Sequence, residues 1–236
     1  GGDAAQTDAR DPRPADGGGT VRRTALSAMA VVAALAAPAT AECKLALVLA
    51  LDVSSSVNSR EYRIQLEGLA DAFRVPEVRR AILEPEGSSI AALAFEWSGE
   101  MHQDVIAGWS LLDSPAAIDA FAERLLAHRR TLLDQPTAIG EAMRFAAGRF
   151  ASAPPCARRT IDISGDGANN DGATPESVRA TGILDGITIN GLVIQGTYPD
   201  PAIYYRGKVM QGPDAFVALA GDFDDYPPVI IGKLLR

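Results

Sequence analysis

Residues 44–52 read KLALVLALD, an apolar run that ends at an aspartate, and this stretch decides the fold. A strand with one face in water alternates apolar and polar residues, whereas a strand covered by helices on both faces is apolar throughout. The run is therefore predicted to be the central strand of a sheet with helices on both faces. Asp52 then stands at the carboxyl end of this strand, where such sheets bind their ligands.

Strands and helices alternate along the rest of the chain. Three further strands are predicted at Ser89–Trp97, Thr160–Ser164 and Thr188–Ile194, with Val105–Trp109 as a candidate for another. Helical spacing predicts a helix capped at Asn58-Ser59 and interrupted at Pro76, then helices at Asp113–Ala127, Thr137–Phe150, Pro175–Leu184, Asp214–Ala220 and, after Pro227-Pro228, within Asp224–Leu235. This alternation predicts an α/β fold with a doubly wound, mostly parallel sheet.

Composition narrows the function classes. The chain has 236 residues, is 47% hydrophobic, and carries 22 Lys+Arg against 30 Asp+Glu for a net charge of -8. These values predict one sizeable packed domain. Without a cluster of basic residues the chain lacks the charge that neutralises phosphates, so no nucleic-acid partner is expected.

The N-terminal part has the features of an export signal. Residues 1–20 contain Gly, Ala, Asp, Pro and Arg without apolar periodicity, which predicts a disordered extension. Residues 21–41 then run from paired arginines through an apolar segment to an A-T-A sequence, the pattern of a secretory signal cleaved after Ala41. A membrane anchor is the alternative, but the apolar segment is shorter than the roughly 20 residues that a span requires. We therefore expect a secreted or periplasmic domain at residues 42–236, with no stable membrane span after cleavage.

Oxygen donors collect at the predicted carboxyl ends of the strands. Asp52, Ser54 and Ser56 form a D-x-S-x-S pattern that places a carboxylate and two hydroxyls on one turn, a set suited to a hard divalent cation. Thr137 and Asp166 occupy comparable positions later in the chain. Each also has a simpler interpretation, because serine, threonine and aspartate are common in turns and helix caps.

Taken together, these segments resemble the von Willebrand factor type A (vWA) domain and its metal-ion-dependent adhesion site. The resemblance covers residues 44–236 and rests on LDVSSSVN, PTAIGEAM and ISGDGANNDG. It implies a six-stranded Rossmann-like sheet with one antiparallel edge strand, for which Val105–Trp109 is the candidate. More narrowly, the chain is similar to bacterial secreted vWA-like proteins of unknown function, many of which have Thr where this chain has Gly165.

The resemblance also implies a ligand set and a mode of binding. Ser54, Ser56 and Thr137 would hold the cation directly, and Asp52 and Asp166 would act directly or through water. Mg²⁺ is the expected ion, with Mn²⁺ and Ca²⁺ as alternatives. One coordination position would remain for a carboxylate of a partner protein or other macromolecule. The polar residues that follow the last aspartate are candidates for outer-shell or partner contacts, or else a simple loop: Asn169, Asn170 and Asp171.

The predicted function is therefore an exported, metal-dependent binding module for adhesion or complex assembly, and not an enzyme. Two alternatives remain: a metal-dependent hydrolase, and a structural domain whose metal site is vestigial. The sequence contains no H-E-x-x-H, G-x-S-x-G or P-loop pattern. We expect the two histidines, His102 and His128, to be surface or helix residues. Tyr198, Tyr204 and Tyr205 are explained either by a docking patch or by core packing.

The chain contains two cysteines, Cys43 and Cys156. An even number of cysteines in an exported chain favours pairing. The resemblance implies that Asp52 and Asp166 end adjacent parallel strands, and each cysteine precedes one of these aspartates by a similar distance. A disulfide between them is therefore predicted, with two buried free thiols as the alternative.

Overall fold

The computed structural model describes residues 42–131 and 135–236. The predicted extension and signal, residues 1–41, lie outside this part of the chain. The strands are β1 (Glu42–Asp52), β2 (Ser88–Trp97), β3 (Gln103–Leu112), β4 (Arg159–Gly165), β5 (Thr188–Ile194) and β6 (Val217–Ala220). The helices are α1 (Ser59–Arg74), α2 (Pro76–Leu83), α3 (Pro115–Ala127), α4 (Ile139–Arg149), α5 (Pro175–Arg179), α6 (Pro201–Tyr204) and α7 (Tyr226–Leu234).

The six strands form one sheet in the order β3-β2-β1-β4-β5-β6. All neighbouring pairs are parallel except β2 with β3, which is antiparallel. The predicted doubly wound fold is therefore confirmed, and so is the antiparallel edge strand, which extends beyond Val105–Trp109 to Gln103–Leu112. Among the described helices, none is both long enough and apolar enough to cross a membrane.

Strand β1 contributes to both hydrophobic cores. Leu47, Leu49 and Leu51 are buried on one face, where α1, α2, α3 and α7 pack. Val48 and Ala50 are buried on the opposite face, against α4, α5 and α6. Because successive side chains of a strand point to opposite faces, a central strand covered on both sides must be apolar at every position. This requirement explains the unbroken run in the sequence.

The segment after β5 differs from the prediction. Asp214–Ala220 was predicted to be helical, but Val217–Ala220 is strand β6, which pairs in parallel with β5. Asp214 has φ 60°, a left-handed conformation that interrupts a helix. Pairing with the sheet edge outweighs the local helical pattern here. The helical connection lies earlier, where α6 continues into a π-helical turn over Tyr205–Val209.

The interruption predicted at Pro76 is confirmed, because α1 ends at Arg74, whereas the prediction for Pro227-Pro228 is wrong. The chain bends at Val75, and α2 begins at Pro76, the residue at which the sequence predicted an interruption. Helix α7 begins at Tyr226, so Pro227 and Pro228 lie in its first turn rather than before it. Proline is tolerated in a first turn because the backbone N–H groups there have no partner within the helix. The predicted helix from Pro175 is shorter than expected and ends at Arg179.

A disulfide joins Cys43 of β1 to Cys156, which precedes β4, as predicted. The backbone N–H of Ala157 also donates to the Cys43 carbonyl at 2.9 Å. The bond therefore links the two central strands at their amino-terminal ends, at the end of the sheet opposite Asp52.

Removal of this disulfide should lower the free energy of unfolding by about 4 to 5 kcal/mol, because the bond closes a loop of 113 residues in the unfolded chain. Urea denaturation of the C43S/C156S variant, compared with the oxidised protein, measures the difference. Reduced wild-type protein is the control and should match the variant. A difference below about 1 kcal/mol would contradict the expectation.

Candidate metal centre

The first loop of the site follows β1 directly. Asp52 and Ser54 are completely buried. One carboxylate oxygen of Asp52, Oδ1, accepts a hydrogen bond from the backbone N–H of Ser54 at 2.7 Å. The hydroxyls of Ser54 and Ser56 lie 3.2 Å apart. Helix α1 follows this turn directly. Its N-cap, Asn58, accepts hydrogen bonds from two backbone N–H groups of the first helical turn.

The second aspartate approaches this loop from the neighbouring strand. Strands β1 and β4 are adjacent and parallel, with Leu51 opposite Ser164, so their carboxyl ends lie side by side. Asp166, immediately after β4, is 5% exposed, and its Oδ1 accepts a hydrogen bond from the Ser56 hydroxyl at 2.8 Å. Four of the five predicted ligands therefore form one connected group of oxygens.

Thr137 is brought to the same edge by the loop before α4. The backbone N–H of Ser55 donates to the Gln135 carbonyl at 2.8 Å, which joins the first loop to this one. The Thr137 hydroxyl lies 3.9 Å from the point where a side chain on Gly167 would begin, next to Asp166. The loop that carries Thr137 therefore lies beside both the first loop and the Asp166 segment.

The three candidate contact residues hold the loops together. Asn170 Oδ1 accepts from the backbone N–H of Thr137 at 2.8 Å, and Asn169 Oδ1 accepts from that of Gly140 at 3.0 Å. The Asp171 carboxylate accepts from the backbone N–H of Glu100 at 2.8 Å. These bonds position the Thr137 loop relative to Asp166. The polar residues after Asp166 therefore hold neighbouring loops together. Their polar composition alone did not indicate this role.

The two aspartates carry unbalanced negative charge. Burial, reinforced by the charge of Asp166, raises the pKa of Asp52 to about 7, and burial likewise raises the pKa of Asp166. Asp52 Oδ2 is buried and makes no hydrogen bond within the described residues. A buried carboxylate oxygen without a partner is costly unless a cation compensates it. Two carboxylates with neutral hydroxyls therefore fit a divalent cation such as Mg²⁺.

A tyrosine that the sequence analysis did not assign to the site lies beneath it. Tyr205 is fully buried, and its hydroxyl makes no hydrogen bond among the described residues. A Cβ on Gly165 would collide with this hydroxyl and lie 2.8 Å from Asp52 Oδ2. Burial and the charges of Asp52 and Asp166 raise the pKa of Tyr205 well above its ordinary value, so the phenol stays protonated. Gly165 was the signal in the sequence for a side chain packed against this turn, because the missing Cβ leaves space for the Tyr205 hydroxyl.

A second group of side chains capable of binding a metal lies elsewhere and contains none of the predicted ligands: Glu96, Asp104 and His128. Both histidines differ from the expectation of surface or helix residues. His102 is 8% exposed and lies between β2 and β3, and His128 follows the end of α3. No spacing in the sequence joins the two histidines, because they share only the contact with Glu96 of β2.

Comparison with solved structures assigns the fold to the vWA class. A von Willebrand factor type A protein from Catenulispora acidiphila aligns with TM-score 0.60 and 14% identity, over 83% of this chain and 42% of that one. Proximal thread matrix protein 1 from the mussel byssus, in a structure with a zinc-occupied MIDAS motif, aligns with TM-score 0.61 and 14% identity, over 82% and 48%. The pilus adhesin SpaC from Lactobacillus rhamnosus GG, in its open conformation, aligns with TM-score 0.56 and 10% identity, over 81% and 30%.

The chain spans less than half the length of each of these structures. The chain belongs to the family described as "Protein of unknown function (DUF1194)", whose model matches residues 42–236. The search of curated proteins finds no match.

The contact between Gly165 and Tyr205 predicts a coupled pair of substitutions. G165A should lower the free energy of unfolding by about 1 to 3 kcal/mol, because the new methyl group overpacks a closed site. Y205F removes the hydroxyl that the methyl meets, so G165A should cost less in the Y205F background. A double-mutant cycle by urea denaturation measures this coupling. Equal costs in both backgrounds would contradict the assigned contact.

The raised pKa values of Asp52 and Asp166 predict how the stability of the metal-free protein changes with pH. In the unfolded chain an aspartate loses its proton near pH ~3.9, whereas folded Asp52 holds its proton to about pH 7. The unfolded state therefore binds fewer protons between these values, and stability should fall as pH rises through this window. Thermal melting in chelator, from about pH 5 to about pH 8, should show this fall. The D52N variant, which cannot ionise at this position, is the control and should show a shallower fall.

Proposed function

We propose that this domain is an exported binding module in which a divalent cation joins the domain to an acidic group of a partner macromolecule. The observation that carries the proposal is the joining of Asp52, Ser54, Ser56 and Asp166 into one group at the carboxyl edge of the sheet. In this proposal these four residues and Thr137 hold the cation. Mg²⁺ is the favoured ion because the donors are all oxygen, with Mn²⁺ and Ca²⁺ as alternatives.

The composition of the ligand set supports a role in binding. Three of the five donors are neutral hydroxyls, so a bound cation keeps positive character and favours an anionic ligand from outside the domain. Ser56 is exposed, whereas Asp52 and Ser54 are completely buried. The group therefore has a closed side, formed by the strand ends, and a side that faces solvent. A carboxylate of a partner would complete the coordination from the solvent side.

The rim of the site also suits a macromolecular partner. Tyr198 is 99% exposed, and the hydroxyl of the preceding Thr197 donates to the Asp166 carbonyl at 2.7 Å. Met101 is 91% exposed in the loop between β2 and β3, next to Glu100, whose backbone is bound by Asp171. Tyrosine and methionine are enriched in protein interfaces. Two exposed hydrophobic side chains thus flank the polar centre.

Three observations support export. The signal pattern predicts cleavage after Ala41, and the family model matches from residue 42. The disulfide between Cys43 and Cys156 is the kind of bond that persists in secreted and periplasmic proteins. In addition, the SpaC protein with this fold is described as a pilus adhesin. We propose a secreted or periplasmic, non-enzymatic domain on these grounds.

The test begins with metal binding. Calorimetric titration of Mg²⁺, Mn²⁺ and Ca²⁺ into chelator-treated protein should show one site that D52N or D166N abolishes, because each substitution removes one of the two charges of the ligand set. E100Q, which neutralises an exposed acid at the rim, is the matched control and should bind as wild type does. Wild-type protein that binds no divalent ion even at millimolar concentration would support the vestigial-site alternative.

Partner binding is tested with the same variants. Immobilised wild-type protein should retain a partner from a secreted or periplasmic fraction in Mg²⁺ and release it in chelator, whereas D52N should retain none. Retention that is unaffected by chelator and by D52N would contradict the bridging mechanism. Metal-dependent turnover of ester or phosphoester substrates by the wild type, abolished in D52N, would favour the hydrolase alternative.

A further inference from the structure

Glu96, near the end of β2, is completely buried and lies outside the Asp52 site. Two hydroxyls bind its carboxylate: Tyr62 donates to Oε2 at 3.2 Å and Thr131 to Oε1 at 3.3 Å. Burial and the charge of Glu96 raise the pKa of Tyr62, so the phenol stays protonated as a donor. The backbone N–H of Thr131 also donates to Oε1, at 3.4 Å, so three neutral donors satisfy hydrogen-bonding positions of the carboxylate.

Two imidazole nitrogens also point at this carboxylate. His128 Nε2 lies 3.2 Å from Glu96 Oε2, and His102 Nε2 lies 3.5 Å from Oε1. Both nitrogens are buried, and neither forms a hydrogen bond with any described residue. Buried nitrogen atoms are normally paired. The His128 nitrogen and the Glu96 oxygen that it faces therefore have the arrangement of two ligands of one metal ion.

A second carboxylate completes the group. Asp104 of β3 is half-buried, and the Thr131 hydroxyl lies 3.4 Å from its Oδ2. The ligand atoms of Glu96, Asp104 and His128 all lie within 4.8 Å of one another. Around a tetrahedral ion with bonds of about 2.0 Å, neighbouring ligand atoms are about 3.3 Å apart. The contact between His128 and Glu96, at 3.2 Å, already has this spacing.

The group lies beside a cavity. A cavity of about 350 Å³ between α1 and the segment after α3 is lined by Tyr62, His128 and Thr131. Three side chains that contact Glu96 therefore line the cavity. Space for solvent therefore lies next to the His128 imidazole, whose Nε2 atom is itself buried.

We propose that Glu96, Asp104 and His128 form a second metal site, selective for Zn²⁺ or a similar transition metal, with the fourth position open to the cavity. Imidazole with carboxylate ligands favours such ions, whereas the all-oxygen set around Asp52 favours Mg²⁺. In this assignment His102 is a positioning residue that orients Glu96 from its other oxygen, as outer-shell groups do in metal sites. The proposal does not depend on metal binding at Asp52.

The experiment separates the two sites by using the purified D52N/D166N variant, in which the Asp52 site has lost both carboxylates. After chelator treatment, Zn²⁺ is titrated by calorimetry and Co²⁺ by visible absorption. Tetrahedral Co²⁺ with nitrogen and oxygen ligands absorbs strongly, whereas octahedral Co²⁺ with oxygen ligands absorbs weakly. We expect one equivalent of Zn²⁺ and an intense Co²⁺ band, both retained when the Asp52 site is disabled.

Substitutions then test the ligands. H128Q in the D52N/D166N background should weaken Zn²⁺ binding by more than about 100-fold and remove the Co²⁺ band, since loss of a direct ligand should exceed the 10- to 100-fold cost of losing an outer-shell partner. H102Q should keep the band and weaken binding by about 10- to 100-fold. E67Q neutralises a carboxylate that lines the same cavity and is the control, with no expected change.

Two results would overturn the second site. One is a D52N/D166N protein that is folded by circular dichroism but takes up no Zn²⁺. The other is uptake that persists unchanged in H128Q and also in D104N, which alters a half-buried residue and so tests the site independently if H128Q fails to fold. Loss of Mg²⁺ binding at Asp52 alone overturns the proposed function and leaves this proposal standing.

Discussion

The burial of the Asp52 carboxylate at the end of the central strand is the constraint on which the rest of the site depends. Strand β1 is covered on both faces, so the aspartate that ends it is completely buried, with one oxygen bound by a backbone N–H and the other without a hydrogen bond from residues 42–131 or 135–236. Asp166 adds a second buried carboxylate from the adjacent strand. The fold therefore concentrates negative charge where hydroxyls are available to complete a ligand set. A divalent cation is the simplest compensation for this arrangement.

The surrounding loops preserve this arrangement through local contacts. Asn170 and Asp171 bind the backbone of neighbouring loops, so the three loops keep a fixed relation to one another. The disulfide fixes the same two central strands at the opposite edge of the sheet. Glycine at 165 leaves room for the hydroxyl of Tyr205 directly beneath Asp52. Rigid support of this kind keeps ligand atoms in place before an ion arrives, which lowers the entropic cost of binding.

Much of the fold could be predicted from residues 44–52 and the alternation around them, because burial on both faces of a strand leaves a direct pattern in the sequence. Strand β6 could not, since its four residues depend on pairing with β5 and their local pattern resembles a helix. Proline at the start of α2 and α7 was also ambiguous, because proline both interrupts helices and begins them.

In the candidate site too, residues that are close in sequence could be predicted, whereas residues from distant elements could not. Asp52, Ser54 and Ser56 lie within five residues, so their spacing alone indicates a shared turn. Tyr205 and Glu96 carry no such signal, because the first is distant in sequence from the residues it approaches and the second is surrounded by side chains from other elements. Contacts between elements that are far apart in sequence become visible only when the sheet order is known.

A crystal structure tests most directly whether the residues around Asp52 bind a divalent cation. The crystals are grown with Mn²⁺, and diffraction is measured at a wavelength where manganese scatters anomalously. We expect an anomalous peak about 2.0 to 2.2 Å from the hydroxyl oxygens of Ser54 and Ser56, with the carboxylates of Asp52 and Asp166 bound directly or through water. A well-ordered structure at saturating Mn²⁺ without a peak among these residues would contradict this expectation.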